Sequence, residues 1–334
     1  MSVAYRLTLL FILLVLCLFP SRQGTEKTKK LKAVEKGIAW LDKIDANPFR
    51  LQEKGLKGKK IFMEKLYAYY QIYKHERHPD KKRELYQKMA KMLDCTNDPR
   101  YHRLPSDDKG FKEDISTYLH ICLVMEKIGL DTSLYRKRIT HYLPRIYQHI
   151  KLRNTTSQML FVEYLYDLGY PTRISLDDLV SLSKTAEMRE VKRYKIDDVR
   201  LIAYMYDICH EVFVFTNHGE KEPAILKDEH KNYLLTTIPL LIKWILKEGD
   251  WRHIDVLAEL VICLSYMGRP EDPLFAKGIN HILASQNDAG FFESFEHLSR
   301  IYKQKGIQYK DKGTNNIHTT EVCLWALAIA KARE

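Results

Sequence analysis

Leu123-Val-Met-Glu-Lys-Ile-Gly129 and Tyr164-Leu-Tyr-Asp-Leu-Gly169 are two versions of one segment, an apolar helical stretch that ends on glycine. Each leads into a second helical pattern: residues 135–150 after the first, and 176–184, beyond Tyr170-Pro171, after the second. Tyr204-Met-Tyr-Asp-Ile-Cys209 takes the same place in a third copy, with Cys209 standing where the others have glycine. Cys263-Leu-Ser-Tyr-Met-Gly268, followed by Arg269-Pro270 and the helical stretch 273–284, is a fourth. The marks at 129, 169 and 209 are 40 residues apart, and the longer step to 268 places an insertion around residues 217–228. A period near 40 with two helices per unit is the pattern of stacked helical hairpins. Glycine suits a helix C-terminus because the left-handed conformation costs it nothing there, and a proline just beyond stops the helix.

Outward from these units the chain stays helical. Apolar residues recur at three- and four-residue spacing over 115–128, 160–168, 199–215, 234–246, 256–267 and 320–332. With 14 glycines and 11 prolines there is too little turn chemistry for an all-β domain. The expected fold class is all-α, built from repeated hairpins. Such hairpins either stack into an open superhelix or close into a ring, and about five or six of this period fit the length, which favours a closed α/α toroid.

One stretch carries a resemblance. Ile282-Leu-Ala-Ser-Gln-Asn-Asp-Ala-Gly-Phe-Phe-Glu293 resembles the helix-end turn SQ-x-x-DG-x-F/W of the terpenoid cyclase and protein prenyltransferase-like toroids. Asn316-Ile-His-Thr-Thr-Glu-Val-Cys-Leu-Trp-Ala-Leu327 is similar to the inner helix that follows that turn, and Asp255-Val-Leu-Ala-Glu-Leu-Val-Ile-Cys-Leu264 to the inner helix before it. The likeness covers about residues 253–331 and implies a toroid in which inner helices face one central cavity. In this turn Gln286 is placed to tie the helix end to the next loop, and Gly290 to allow the tight bend. The superfamily's functional signatures are missing: there is no acidic DxDD, no thioester CGEQ, and no prenyltransferase zinc spacing. No named enzyme family is matched, only the fold.

Residues 1–24 have the layout of a secretory signal peptide: Arg6, an apolar run from Leu7 to Phe19, Pro20, then small polar residues to Gly24. The apolar run is shorter than the roughly 20 residues that span a bilayer, and no second run approaches that length. Expected, then, are a secreted chain, a more charged and less regular helical region at 25–110, and hairpin repeats over 111–334. The two regions are expected to form one continuous domain. The formal charge of +11 falls to +9 when the leader takes Arg6 and Arg22 with it. A basic secreted protein attracts polyanions. No nucleic-acid recognition module is visible. Cys95, Cys122, Cys209, Cys263 and Cys323 are widely spaced with no CxxC, which is not a disulfide scaffold, although one or two bridges stay open. Asn154-Thr-Thr156 is an N-glycosylation sequon and marks a surface turn, in keeping with a glycoprotein.

Chemistry-bearing residues concentrate in the last third. His210-Glu211 sits in an otherwise apolar helix that ends near His218. His253 and Asp255 open a helix that carries Glu259 one turn later, so Asp255 and Glu259 share a face. His318 and Glu321, three apart, do likewise. One reading is a metal site of two or three histidines and a carboxylate, from His210, His318 and Asp255 or Glu259, with His218 as a further ligand, holding zinc or iron. HExxH is absent, because His210-Glu211 runs on into Val-Phe-Val. The metal-free reading uses His210, Glu211, Asp255, Glu259 and His318 for acid–base catalysis. Both describe a secreted enzyme acting on a small-molecule or glycan substrate in a central cavity, with the reaction class open. The alternative is a secreted small-molecule carrier or polyanion-binding protein.

Overall fold

Apolar helices joined by short turns can bury their faces only against one another, and the architecture follows from that constraint. The computed structural model describes residues 22–55, 57–183, 198–222, 226–249, 253–293 and 316–333. Residues 1–21, most of the expected leader, lie outside them. The described residues form thirteen α-helices and no strand. The first six are α1 (Arg22–Lys43), α2 (Pro48–Glu53), α3 (Gly58–His75), α4 (Pro79–Leu93), α5 (Asp108–Lys127) and α6 (Ser133–Lys151). There follow α7 (Thr155–Asp167), α8 (Leu176–Ser181), α9 (Val199–Phe215), α10 (Asp228–Glu248), α11 (Ile254–Tyr266), α12 (Pro273–Ser285) and α13 (Asn316–Ala332). The class is all-α.

The hairpin marks hold at three positions. Gly129, Gly169 and Gly268 are left-handed, with φ of 77°, 71° and 76°. The residue after each donates to the carbonyl five positions back: Leu130 to Met125 (2.9 Å), Tyr170 to Leu165 (2.8 Å) and Arg269 to Leu264 (3.0 Å). The third mark does not hold. Cys209 is fully buried in the middle of α9, which continues to Phe215 and ends in the turn Asn217-His218-Gly219. The extra residues of that unit therefore lengthen the helix itself before its turn.

Residues 25–110, expected to be less regular, hold full helices. Their prolines and lysines mislead: Pro48 and Pro79 stand in the first turns of α2 and α4, where a missing N–H costs nothing. The lysine-rich sequence of α3 also carries a buried face of Phe62, Leu66 and Tyr69.

Each odd-numbered helix from α3 to α13 packs on the next odd one, and α13 packs back on α3. The even-numbered helices pack against odd-numbered ones: α4 on α3, α6 on α5 and α7, α8 on α7, α10 and α12 on α11. α1 packs on α12 and α13. α11 is buried from Ile254 to Ser265, and α13 at Ile317 and from Thr319 to Ala330, so both are enclosed on all sides.

The turn after α12 joins the two ends of the chain. Gln286 Nε2 donates to Gly290 O (2.8 Å) and across the fold to Ala33 O of α1 (2.9 Å). Phe292 N donates to Thr320 Oγ1 of α13 (3.1 Å). Gly290 has φ of 102°, and a Cβ there would lie 2.4 Å from the carbonyl oxygen of Lys36.

All five described cysteines are free thiols, so no bridge supports this core. Asn154 is exposed and caps α7, its Oδ1 accepting from Ser157 N (3.0 Å). Among the described residues no helix is long and apolar enough to cross a membrane.

Gly290→Ala meets both the positive φ and the α1 backbone, and it should lower stability by about 1–3 kcal/mol. Urea unfolding of the two proteins side by side measures this directly.

Candidate functional site

The first turn of α11 places Asp255 and Glu259 on one face, and the first turn of α13 does the same for His318 and Glu321. α3 contributes Glu64 from its first half. Because α13 packs on both α3 and α11, these five side chains meet around the imidazole of His318. On one side of the ring, Nε2 lies 3.6 Å from Glu259 Oε1 and 3.8 Å from Asp255 Oδ2. On the other, Nδ1 lies 3.7 Å from Glu321 Oε2 and 3.9 Å from Glu64 Oε1. Tyr206 of α9 donates its hydroxyl to Asp255 Oδ1. The four carboxylates are buried, whereas His318 keeps 41% of its side-chain surface exposed and forms the outer edge of the cluster. Glu259 Oε2 and Glu321 Oε2 are buried with no hydrogen-bond partner.

The electrostatics follow from this crowding. Burial alone would push His318 down. The nearby carboxylates of Glu259 and Glu321 and the charge of Asp255 outweigh it and hold the imidazole protonated, well above the usual histidine range. Burial raises Glu321 to about 7, against the pull of His318 and with the help of Glu64 and Glu259. Burial also raises Asp255, offset in part by His318. The arrangement is an imidazolium acid beside carboxyl groups able to accept or hold a proton near neutral pH.

Of the residues expected from sequence, Asp255, Glu259 and His318 come together, with one donor atom from each lying within 4.8 Å of the others. His210 does not join them. The α9 side chain that reaches Asp255 is Tyr206, one turn earlier, and His210 is half-buried with its ring 6.5 Å from that of Tyr206. Glu211 turns to α10, where it pairs with His230 Nε2 (3.1 Å) and accepts from Ser183. Of the residues expected to hold a metal, the described structure brings together Asp255, Glu259 and His318, while His210 and His218 lie elsewhere.

His218 belongs to a different place. Asn217, His218 and Gly219 are all left-handed (φ 44°, 51° and 81°), a run that is rare for non-glycine residues and costs backbone energy. The turn sets His218 Nδ1 2.9 Å from Tyr67 OH and Nε2 3.6 Å from Glu163 Oε2. Tyr67, His120, Glu163, Tyr164 and His218 line a cavity of about 20 Å³, room for about one water. Burial, reinforced by Lys74 and Lys127, lowers His218 to about 3. Burial, reinforced by His218 and Lys127, lowers His120 to about 3. Burial holds Glu163 well above the carboxylate range. These groups are therefore uncharged at neutral pH. The rim is tied by Lys127 to Glu220 (2.7 Å) and by Lys74 to Glu220 (3.4 Å).

Sequence reasoning missed Glu64, Tyr206, Tyr67, His120 and Glu163. The available signal was a lone acid on an apolar helical face, as in Ile61-Phe-Met-Glu64 and Leu160-Phe-Val-Glu163.

The family model of a domain of unknown function, DUF6895, matches residues 28–328, and the chain belongs to that family. The match spans the whole cluster from Glu64 to Glu321. No curated protein and no solved structure matches the chain.

Glu321 binds its proton more tightly folded, at about 7, than it does unfolded, so its contribution to stability falls as pH rises from about 5 to 8. The raised His318 acts in the same direction, its stabilisation being lost as pH climbs through its folded-state value. Glu64, Asp255, Glu259 and His318 all face Glu321 and stay in place in Glu321→Gln. That variant should gain melting temperature over the wild type increasingly from pH 5.5 to 8. A constant difference across that range would show that Glu321 is not the group titrating.

Proposed function

We propose that this chain is a secreted enzyme acting on a small organic molecule or glycan. In this reading α3, α5, α7, α9, α11 and α13 form the inner ring of an α/α toroid, and the cluster around His318 supplies acid–base chemistry at one mouth. The observation that carries the reading is the convergence of Asp255, Glu259 and His318, with buried carboxylate oxygens of Glu259 and Glu321 that make no hydrogen bond. Leaving such groups unsatisfied costs about 1–3 kcal/mol each or more, and folds retain that cost mainly where the groups have work to do.

The ring reading rests on the return of α13 to α3 and on the resemblance of residues 282–293 to the toroid turn, whose Gln286 makes the tie expected of it. Secretion rests on the layout of residues 1–24. A simple carrier would line its interior with apolar and aromatic groups alone, whereas both polar sites here are built from titratable ones. His318 acts as the acid, and the carboxyls of Asp255 and Glu259 as base and orienting group, at the exposed edge of the imidazole.

Full-length protein purified from secretion medium should deplete a component of a glycan and small-molecule mixture followed by mass spectrometry. His318→Gln and Asp255→Asn, with melting temperatures and helical signal kept, should slow that depletion by about 10²–10⁴-fold. Equal turnover by the variants would remove the cluster from catalysis. Retention of a ligand without turnover by all three proteins would establish the carrier instead.

A further inference from the structure

The geometry points to a mononuclear site for a divalent transition-metal ion, Zn²⁺ or Mn²⁺, held by Asp255, Glu259 and Nε2 of His318. The inference rests on the cluster of the proposed enzyme: in the loaded protein the ion displaces the proton from Nε2, so that His318 serves as a ligand and not as the acid.

Ligands at metal-bonding distance from one ion lie roughly 3–3.6 Å from each other. The imidazole Nε2 is already 3.6 Å from Glu259 Oε1 and 3.8 Å from Asp255 Oδ2, and one donor atom from each of the three residues lies within 4.8 Å of the others, so the donors close inward to form a coordination shell. The surrounding groups match those that support metal ligands. A ligating histidine characteristically donates its other ring N–H to a carboxylate, and Nδ1 of His318 faces Glu321 at 3.7 Å and Glu64 at 3.9 Å. A ligating carboxylate is itself held by a hydrogen bond, and Tyr206 donates to the oxygen of Asp255 that faces away from the imidazole.

Two further observations call for a cation. Glu259 is only 2% exposed, and its Oε2 has no hydrogen-bond partner. Glu64 pairs with Lys60 (3.4 Å), which leaves the buried carboxyl groups of Asp255, Glu259 and Glu321 against a single imidazole, and an ion between Asp255 and Glu259 would offset their crowding. The partly exposed face of His318 supplies a path of entry. One imidazole with two carboxylates is a mixed set: nitrogen favours a transition ion over Mg²⁺ or Ca²⁺, and the oxygens keep Mn²⁺ within range. The site differs from the histidine-rich one expected from sequence, since both Asp255 and Glu259 serve and neither His210 nor His218 does.

The test is calorimetric titration of chelator-stripped, full-length protein with MnCl₂, ZnCl₂ and MgCl₂, with no substrate present. Wild type should bind one Mn²⁺ or Zn²⁺. Asp255→Asn and Glu259→Gln should weaken binding at least 100-fold, Tyr206→Phe about 10–100-fold, and His210→Ala not at all. Manganese separates this site from the half-buried thiol of Cys95, which has little affinity for it. Circular dichroism on each variant identifies any that has unfolded, and the near-isosteric Glu259→Gln and Tyr206→Phe provide independent readings. Absence of saturable Mn²⁺ and Zn²⁺ binding overturns the proposal. So does binding that the Asp255 and Glu259 substitutions leave unchanged, and so does equal affinity for Mg²⁺. Because only metal is titrated, failure here leaves acid–base catalysis by the same residues to be decided by substrate depletion.

Discussion

The burial of α13 is the constraint on which the rest depends. A helix apolar on every side has to be enclosed, and α11 and α12 cover only part of it; the remainder falls to α1 and α3 from the opposite end of the chain. Close approach is built into the contact, since a Cβ at Gly37 of α1 would lie 2.4 Å from a methyl of Leu324. The turn after α12 reinforces it with the hydrogen bond from Gln286 to Ala33. Because α13 cannot be buried without α3, Glu64 and Tyr67 are carried to the side chains of the C-terminal helices.

The packing of α13 on α3 sets up two polar sites with opposite electrostatic outcomes. Around His318 the acids outnumber the base, and their combined attraction overcomes burial and keeps the imidazole charged. Around His218 and His120 burial dominates: Lys74 and Lys127 reinforce it, Glu220 and Asp167 offset it only in part at His218, and both rings stay neutral beside an uncharged Glu163. The sites are coupled, because Glu321 of the first bears electrostatically on Tyr67 and Tyr164, which line the second.

How far the site was legible depended on whether its signal was local. Asp255 with Glu259, and His318 with Glu321, are spaced at four and three residues, and helical geometry alone puts each pair on a face. His210 looked equally suitable by that reasoning, since it too is polar in an apolar helix, but the helix presents Tyr206 to Asp255 instead. Glu64 sits in a stretch whose lysines and glycines read as surface. Glu163 is buried beside a histidine that reaches it only through the left-handed turn at Asn217-His218-Gly219, and such a turn leaves little trace in composition.

The sequence by itself determined the helices, most of their ends and the hairpin repeat, because apolar spacing, proline at helix starts and glycine at helix ends act over a few residues. It also paired the carboxylates within α11 and placed His318 at the start of α13. Only the tertiary structure decided which pairs meet, that neither His210 nor His218 joins His318 at the carboxylates, and that a second, uncharged cavity exists. Those outcomes depend on contacts between residues far apart along the chain, set by the enclosure of α13 and by the rotation of each helix about its axis, and no local spacing encodes either.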